Sequence, residues 1–556
     1  MLDLNIVIAG AAGEGIQTIG DVLTRSILEL GYSVFTWTEY ESRIRGGKSS
    51  YRIRVSEKMS NAPRHDADLL LVLNEQAREH YAGLLNKTGV TLAETGEDLQ
   101  TVAVPFRSIA VEQCKSKLYA NLVAAGALCM ILQIEFSVLK QVLTRRFAAK
   151  GEEVVRLNLV AARAGYAAVQ SVPHTQQLAL ETRDRAYSFL SAHAVIPLAA
   201  AYAGCRFITA YPMSPATGII TAFARDEELG VFVEQAEDEI AAINMAIGAS
   251  YAGARAMIAT SGGGFALMVE GVSLAGMTET PLVILIGQRP GPATGLPTRT
   301  AQEDLLFAIH AGHGEFPKAV LAPSDPQDAF AKTVRAFQLA AKYQIPVILL
   351  TDQYLADSYF SYDKFESENQ PLTAHIADPQ AISDYKRYRL TADGVSPRLY
   401  PGQSKHLVCA DSDEHDEGGH ITEDLAHMRP AMVQKRLTKR KQLQQAIALP
   451  AEIHLLDAET VLIGWGSTRG AIEEAVSQLR AKGTAMGAIH FTEIWPLPDY
   501  VFAGDKQYIS VEGNATGQLS YLLAAEYGIH FSGTVRRSDG LPITADYIKK
   551  EIDDRV

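Results

Sequence analysis

The chain has little that could staple, clasp or anchor it. Its four cysteines, Cys114, Cys129, Cys205 and Cys409, are scattered without a Cys-x2-Cys pair. That excludes a zinc or iron–sulfur site built from local spacing, and fits reduced, mostly buried thiols of a cytoplasmic protein. No apolar run approaches the ~20 residues of a membrane helix, and the start MLDLNIVIAGAAGEG lacks the basic segment of a signal peptide, so no membrane association is expected. Lysine and arginine form no block long enough to track a phosphate backbone, and the formal net charge is −13; nucleic acid is not an expected partner. No internal repeat of fixed period is visible.

What is there reads as an ordinary globular composition, 47% hydrophobic and 21% charged. At 556 residues the chain is too long for one core, and at ~150 residues per domain it should hold three or four. Alternating buried-strand and helix patterns predict an α/β fold. The expected divisions are an α/β domain over 1–170, a linker over 171–188, a second α/β domain over 189–361, a polar crossing segment over 362–450 and a third α/β domain over 451–556.

In the first domain NIVIAGAAGEG (Asn5–Gly15) is a strand running into a glycine turn, followed by helical periodicity. Backbone N–H groups and a helix dipole directed at such a turn suit a phosphate. The spacing of Gly10, Gly13 and Gly15 departs from the strict dinucleotide fingerprint, however, so a tight packing turn explains it equally well. SRIRGGKSSYRIRVSE (Ser42–Glu57) places Arg43, Arg45, Gly46, Gly47 and Lys48 together, a pattern that suits an anion or a solvated loop, and Tyr51–Val55 then reads as an edge-like strand.

The second domain carries the densest series. YPMSPAT (Tyr211–Thr217) has two prolines fixing the backbone around Ser214 at the end of a predicted strand. VEQAEDEIAAINMAIGAS (Val233–Ser250) puts Glu237, Asp238 and Glu239 at the mouth of an alanine-rich helix. Acids there complement the helix dipole by ~0.3–1 kcal/mol without any chemistry, and spacing leaves that reading and an active-site reading both standing. TSGGGF (Thr260–Phe265) offers close backbone approach just before a helix. A loop rich in glycine and proline then carries Arg289, Thr294, Thr298 and Arg299, and an arginine in such a loop can clamp a carboxylate or serve in a surface ion pair. In the polar segment, His415 and His420 match no metal spacing, so a solvated loop is expected and no metal site is assigned; KRLTKRKQ (Lys435–Gln442) reads as an exposed helix.

Taken in order, AAGEG…SRIRGG, then YPMSPAT…EDEIAAINMAIGAS…TSGGGF…GPATGLPTRT, then IGWGST…WPLP…VEGNATGQL…DGLP resemble the alpha subunit of 2-oxoacid:ferredoxin oxidoreductases carrying a fused N-terminal gamma domain, and most of all the 2-oxoglutarate type. The resemblance spans nearly the whole chain. It implies a Rossmann-like, coenzyme A-associated gamma domain, a thiamine diphosphate pyrimidine-binding domain and a transketolase C-terminal-like domain. It implies that Glu239, with Glu237 as runner-up, contacts the aminopyrimidine ring as the catalytic carboxyl, and that Tyr211, Pro212, Gly262 and Gly263 help bind the cofactor. Ser214 stands where the family has threonine and would meet substrate together with Arg299, Arg289 and Thr298. Gly13, Gly15, Arg45 and Gly46 match the gamma-domain pattern associated with coenzyme A.

The family's thiamine site also needs a Gly-Asp-Gly segment and paired asparagines, and this sequence has neither. The resemblance therefore implies a beta subunit supplying the diphosphate half-site, Mg²⁺ and a [4Fe–4S] cluster, in an assembly expected to be a dimer of αβ heterodimers. Ferredoxin is the implied electron partner, and the acidic alpha chain would turn electron exit toward the beta subunit. The implied reaction is CoA-dependent oxidative decarboxylation of a 2-oxoacid, with reverse carboxylation chemically available. Other readings are another specificity (pyruvate or branched-chain), a flavin or nucleotide oxidoreductase built on the N-terminal turn, or a non-catalytic CoA- or nucleotide-binding scaffold.

Overall fold

The computed structural model describes residues 2–43, 46–96, 98–170, 178–366 and 372–553. Arg45 and the first part of the expected linker, 171–177, lie outside the described residues. The chain forms two compact units, the first running up to Leu190 and taking back Ser358–Phe365 and Thr544–Asp546, the second holding the remainder.

The first unit is built on a mixed sheet in the order Thr101–Ala103, Leu85–Ala93, Ala67–Val72, Asp3–Ala12, Gly46–Ser56, Ser33–Glu39, then the returning strand Tyr359–Tyr362 and, at the edge, Ser188–Ser191. The apolar run NIVIA reads as continuous because both of its faces are covered. Ile6 and Ile8 point into the large helical core, while Val7 and Ala9 point into a smaller cluster with Leu70 and Tyr81. The strand containing Tyr51–Val55 is not at an edge, as its alternation suggested, but central: it pairs antiparallel with both Asp3–Ala12 and Ser33–Glu39. Its arginines are buried, and each has found an acid. Arg52 donates to Glu39 at 2.7 Å and lies over the Trp37 ring, and Arg54 binds Asp3 through two nitrogens at 2.8 and 2.7 Å. Period-2 polarity cannot tell a solvated arginine from a paired one.

The second unit holds two sheets. One runs Glu493–Trp495, Ala319–Leu321, Pro346–Asp352, Leu282–Gln288, Arg255–Ser261, Cys205–Ala210, Phe232–Gln235, all parallel except the first strand. The other runs Ala451–Ile453, Met486–Phe491, Thr460–Trp465, Gln507–Glu512, Phe531–Arg536. One core spans both, since Ile258, Ile284 and Ile348 cluster with Val461, Ile463 and Phe491. Wholly buried strands of this kind need helices on both faces, and the sequence supplies one between nearly every pair.

Parts of the polar segment expected to be solvated are buried instead. The helix Met428–Ala446 buries Lys435, Arg436 and Lys439, contrary to the expectation of an exposed basic helix. The reason is Glu279, whose carboxylate receives Lys435 Nζ at 2.6 Å and Lys439 Nζ at 2.7 Å, with Arg387 donating to its backbone carbonyl. Burial alone would raise the Glu279 carboxyl, but the three cations outweigh it and hold it well below the ordinary carboxylate range. His415 is likewise buried, its ring 3.9 Å from that of Tyr388, with Nδ1 3.0 Å from the Asp413 carbonyl. Among the described residues no three His, Cys, Asp or Glu side chains converge as metal ligands. The cysteines are free, three of them buried, and no described helix is long and apolar enough to cross a membrane.

Candidate active site

Four neighbouring parallel strands of the second unit end at one edge, and each hands the chain to part of the predicted series. Cys205–Ala210 leads into YPMSPAT, Phe232–Gln235 into the acids, Arg255–Ser261 into the glycines, and Leu282–Gln288 into the arginine loop. Segments far apart in sequence thus meet at the carboxyl ends of a parallel sheet, where such sheets bind ligands.

Glu239 is the first residue of the helix Glu239–Tyr251. Asp238 caps that helix, its carboxylate accepting the Ala241 N–H at 2.7 Å, so the acid that serves as a helix-start residue is Asp238. Glu239 is freed from that duty and buried at 3% exposure, and its Oε1 has no hydrogen-bond partner among the described residues. A buried carboxyl oxygen without a partner is costly, by roughly 1–3 kcal/mol or more. The carboxyl group rests against the glycine turn: a Cβ on Gly264 would lie 2.5 Å from Glu239 Oε1 and 2.2 Å from Thr260 Oγ1. The three glycines are not a loop before a helix but the first turn of the helix Gly262–Met277. Gly262 makes room for Asp304, whose Oδ1 would be 2.4 Å from an added Cβ, whereas Gly263 has only the Ala293 carbonyl at 3.6 Å. Ser261 Oγ, at the cap position of the same helix, is also buried with no partner among the described residues.

Sequence reasoning missed Gly264 and Asp304. Gly264 was legible only as the third member of a run, and Asp304 only as one more acid. Burial raises the Asp304 carboxyl to about 6, Glu303 adds to the shift and Arg289 opposes it.

Of the residues expected to face substrate, Ser214 is exposed and precedes a cis peptide to Pro215, and its carbonyl accepts from Arg289 Nη1 at 2.8 Å. Arg289 is therefore tied to the YPMSPAT turn, and burial lowers its pKa. Tyr211 is exposed and Pro212 half-buried on the same turn. Thr298 and Arg299 lie further along the loop, half-buried, with Arg299 N–H donating to the Leu296 carbonyl at 3.1 Å. Glu237 is exposed outside the helix and lacks the enclosure of Glu239.

The closing motif VEGNATGQL turns out to hold this loop. Gln302 N–H donates to the Gly513 carbonyl at 2.7 Å and its side chain to the Trp465 carbonyl at 2.8 Å. Asn514 Nδ2 donates back to the Gln302 carbonyl at 3.0 Å, and Gln518 Nε2 to that of Glu303 at 2.6 Å. Gln302 is thus gripped from three sides, which fixes the far end of the arginine loop.

In the first unit, the register Ala12↔Gly46 brings the glycine turn beside the basic loop. Gly13 and Gly46 are exposed with φ of 97° and 77°, and Gly15 has φ 85° with Asn121 where a Cβ would go. The turn carries its own acid: Glu14 Oε2 accepts from Ala11 N–H at 2.8 Å and Asn74 Nδ2 at 2.6 Å, and Oε1 pairs with Arg107 at 3.2 Å.

Comparison with known proteins gives these sites a family. The family model "Pyruvate flavodoxin/ferredoxin oxidoreductase, thiamine diP-bdg" matches residues 198–435, and "Pyruvate ferredoxin/flavodoxin oxidoreductase" matches residues 5–168. The 2-oxoacid:ferredoxin oxidoreductase subunit alpha of a Sulfolobus species is 32% identical over 99% of this chain and 96% of its own. The 2-oxoglutarate oxidoreductase subunit KorA of Mycobacterium tuberculosis is 29% identical over 99% and 91%. The structure of 2-oxoglutarate:ferredoxin oxidoreductase from Magnetococcus marinus, with 2-oxoglutarate, coenzyme A and succinyl-CoA bound, superposes with a TM-score of 0.93 at 33% identity over 100% of this chain and 99% of that one. Motif series, strand-end site and full-length similarity agree, and the chain belongs to the 2-oxoacid:ferredoxin oxidoreductase family as an alpha subunit.

Proposed function

We propose that this chain supplies the pyrimidine half of a thiamine diphosphate site in an enzyme that oxidises 2-oxoglutarate. The reaction is 2-oxoglutarate + CoA + two oxidised ferredoxins giving succinyl-CoA + CO₂ + two reduced ferredoxins and a proton. The observation carrying this reading is the buried Oε1 of Glu239, without a partner among the described residues and held against a glycine whose Cβ would collide with it. That donor set fits an aminopyrimidine, whose ring nitrogen pairs with a carboxyl group capable of holding or returning a proton. Thiamine diphosphate, when bound, supplies a nucleophilic carbon that lets the 2-oxoacid carboxylate leave as CO₂.

The residues of this chain then have separable tasks. Glu239 holds the proton at Oε1. Gly263 and Gly264 keep the helix start clear, and Tyr211, Pro212 and Gly262 help to hold the cofactor. Arg299, with Arg289 second, takes the substrate carboxylate, and Ser214 and Thr298 offer hydroxyls. In the first unit Gly13, Gly15, Arg45 and Gly46 serve coenzyme A. The diphosphate half-site, Mg²⁺ and a [4Fe–4S] cluster belong to a beta subunit in a dimer of αβ heterodimers, which passes electrons singly to ferredoxin; the chain's lack of Gly-Asp-Gly, paired asparagines and clustered cysteines supports this division. The complex is cytoplasmic, and carboxylation of succinyl-CoA is its reverse direction.

The test is CoA-dependent viologen reduction by the purified chain with and without its beta subunit, using 2-oxoglutarate and pyruvate. Activity is expected only in the complex, with a higher kcat/KM for 2-oxoglutarate. Turnover by this chain alone would refute the division of labour, and a preference for pyruvate would refute the substrate.

A further inference from the structure

At the opposite edge of the parallel sheet from Glu239, where strands begin, Arg255 and Arg398 line a cavity of about 70 Å³ together with Ser250, Pro281, Phe337 and Ile376. Arg398 is buried at 8% exposure and Arg255 is half-buried. Each guanidinium carries five N–H donors. Arg255 uses two of them, on the carbonyls of Ala203 and Thr373, and Arg398 uses one, on that of Ser250. Ala203 and Ser250 lie at the C-terminal ends of helices, which offer roughly half an elementary charge each and leave two full positive charges undercompensated. Among the described residues no carboxylate acts on either guanidinium; the charged neighbours are Arg387 and each other, with Lys342 and Arg255 acting on nearby His375. Burial lowers both arginines, Arg398 to about 10 with Arg387 adding to the shift.

A cation pair taken out of water without a counter-charge is expensive, and the remedy is an anion. At ~10–15 Å³ per water the cavity has room for roughly five waters, enough for a small tetrahedral oxyanion, and it opens past exposed Ala374, next to exposed Thr373. We infer that this cavity is a binding site for a small tetrahedral oxyanion, a phosphate group held between the guanidiniums of Arg255 and Arg398.

The site is connected to the candidate active site by rigid elements. Arg398 grips the last turn of the helix whose first residue is Glu239, and Arg255 opens the strand that ends at Ser261 and the glycine turn. At 1.5 Å per residue the 13-residue helix spans about 20 Å, so a bound anion braces both elements from their far ends.

The experiment is thermal unfolding of the assembled αβ complex in inorganic phosphate against chloride at matched ionic strength. A saturable rise in Tm on the order of a few degrees is expected for the wild type, and it should disappear in Arg255→Gln and Arg398→Gln. A glycerol phosphate arm separates two sources of the same chemistry: an equal rise means that a terminal phosphate enters through the Thr373–Ala374 opening, no rise means that free phosphate alone fits. If either variant fails to assemble, wild-type crystals soaked in selenate should show an anomalous peak between the two guanidiniums. Identical unfolding in phosphate and chloride, or selenate crystals without that peak, would overturn the inference.

Discussion

The glycine turn of the first unit and the glycine helix start of the second are made of the same parts, a buried parallel-type strand, glycines, an acid and a helix, and they use the acid in opposite ways. Glu14 is satisfied by the Ala11 amide, Asn74 and Arg107, so it closes its own turn. Glu239 is more deeply buried, leaves helix capping to Asp238 and keeps Oε1 unpartnered. A polar group that the fold satisfies is explained by the fold. One that the fold buries and leaves unsatisfied points to something that is meant to meet it.

The largest effect expected from this contrast is at the two acids. Glu239→Gln should lower turnover by about 10²–10⁴-fold, the usual weight of a positioned proton-transfer group, with assembly intact. Glu14→Gln keeps a hydrogen-bonding oxygen and should cost only about 1 kcal/mol of stability, with turnover retained at saturating CoA. Steady-state kinetics and urea unfolding on the two variants measure both, and equal kinetic defects would erase the distinction.

Next comes Gly264→Ala. Its methyl group has to displace Glu239 Oε1 or Thr260 Oγ1, so a loss of about 1–3 kcal/mol and of thiamine diphosphate binding is expected together. A variant with normal cofactor titration would show that the close approach is not needed.

Asp304 gives a pH signature of similar size. Its folded pKa is raised from 3.8 to about 6, so the folded state keeps the proton where the unfolded chain has lost it. The Asp304 contribution to stability is therefore greatest below pH 3.8 and is lost as pH rises through about 6, by on the order of 3 kcal/mol. Asp304→Asn should lack that slope, so the gap between wild-type and variant stability should change as pH rises from 3.8 to about 6; a gap that stays constant over that range would mean that Asp304 titrates normally.

The smallest effect separates room for the fold from room for a ligand. Gly263 has no protein atom closer than 3.6 Å to an added Cβ, so Gly263→Ala should leave the fold intact or gain up to ~1 kcal/mol of helix propensity while weakening thiamine diphosphate binding in a calorimetric titration. Unchanged affinity would place the cofactor elsewhere.

Much of this was legible in the linear sequence because local chemistry is written locally. NIVIA read as an apolar strand running into a glycine turn, YPMSPAT as a backbone fixed by its prolines, and the alanine spacing after Glu239 as a helix with small faces. The ordered series named the family before any geometry was available. Where sequence reasoning failed, it failed on partners. The alternation of Tyr51–Val55 looked like an edge strand because Asp3 and Glu39, which neutralise Arg54 and Arg52, lie 51 and 13 residues away. KRLTKRKQ looked solvated because Glu279 is 156 residues from Lys435.

The sequence by itself determined the α/β class, the strand-end loops that carry the chemistry and the family, since propensity, periodicity and glycine placement act over a few residues. Only the tertiary structure decided which of three adjacent acids is a cap and which is buried without a partner, that Gly264 is the glycine pressed against it, and that Gln302 and Asn514 clamp the loop between them. Those distinctions depend on desolvation and on which atoms meet across the fold, and neither quantity is defined until the chain has packed.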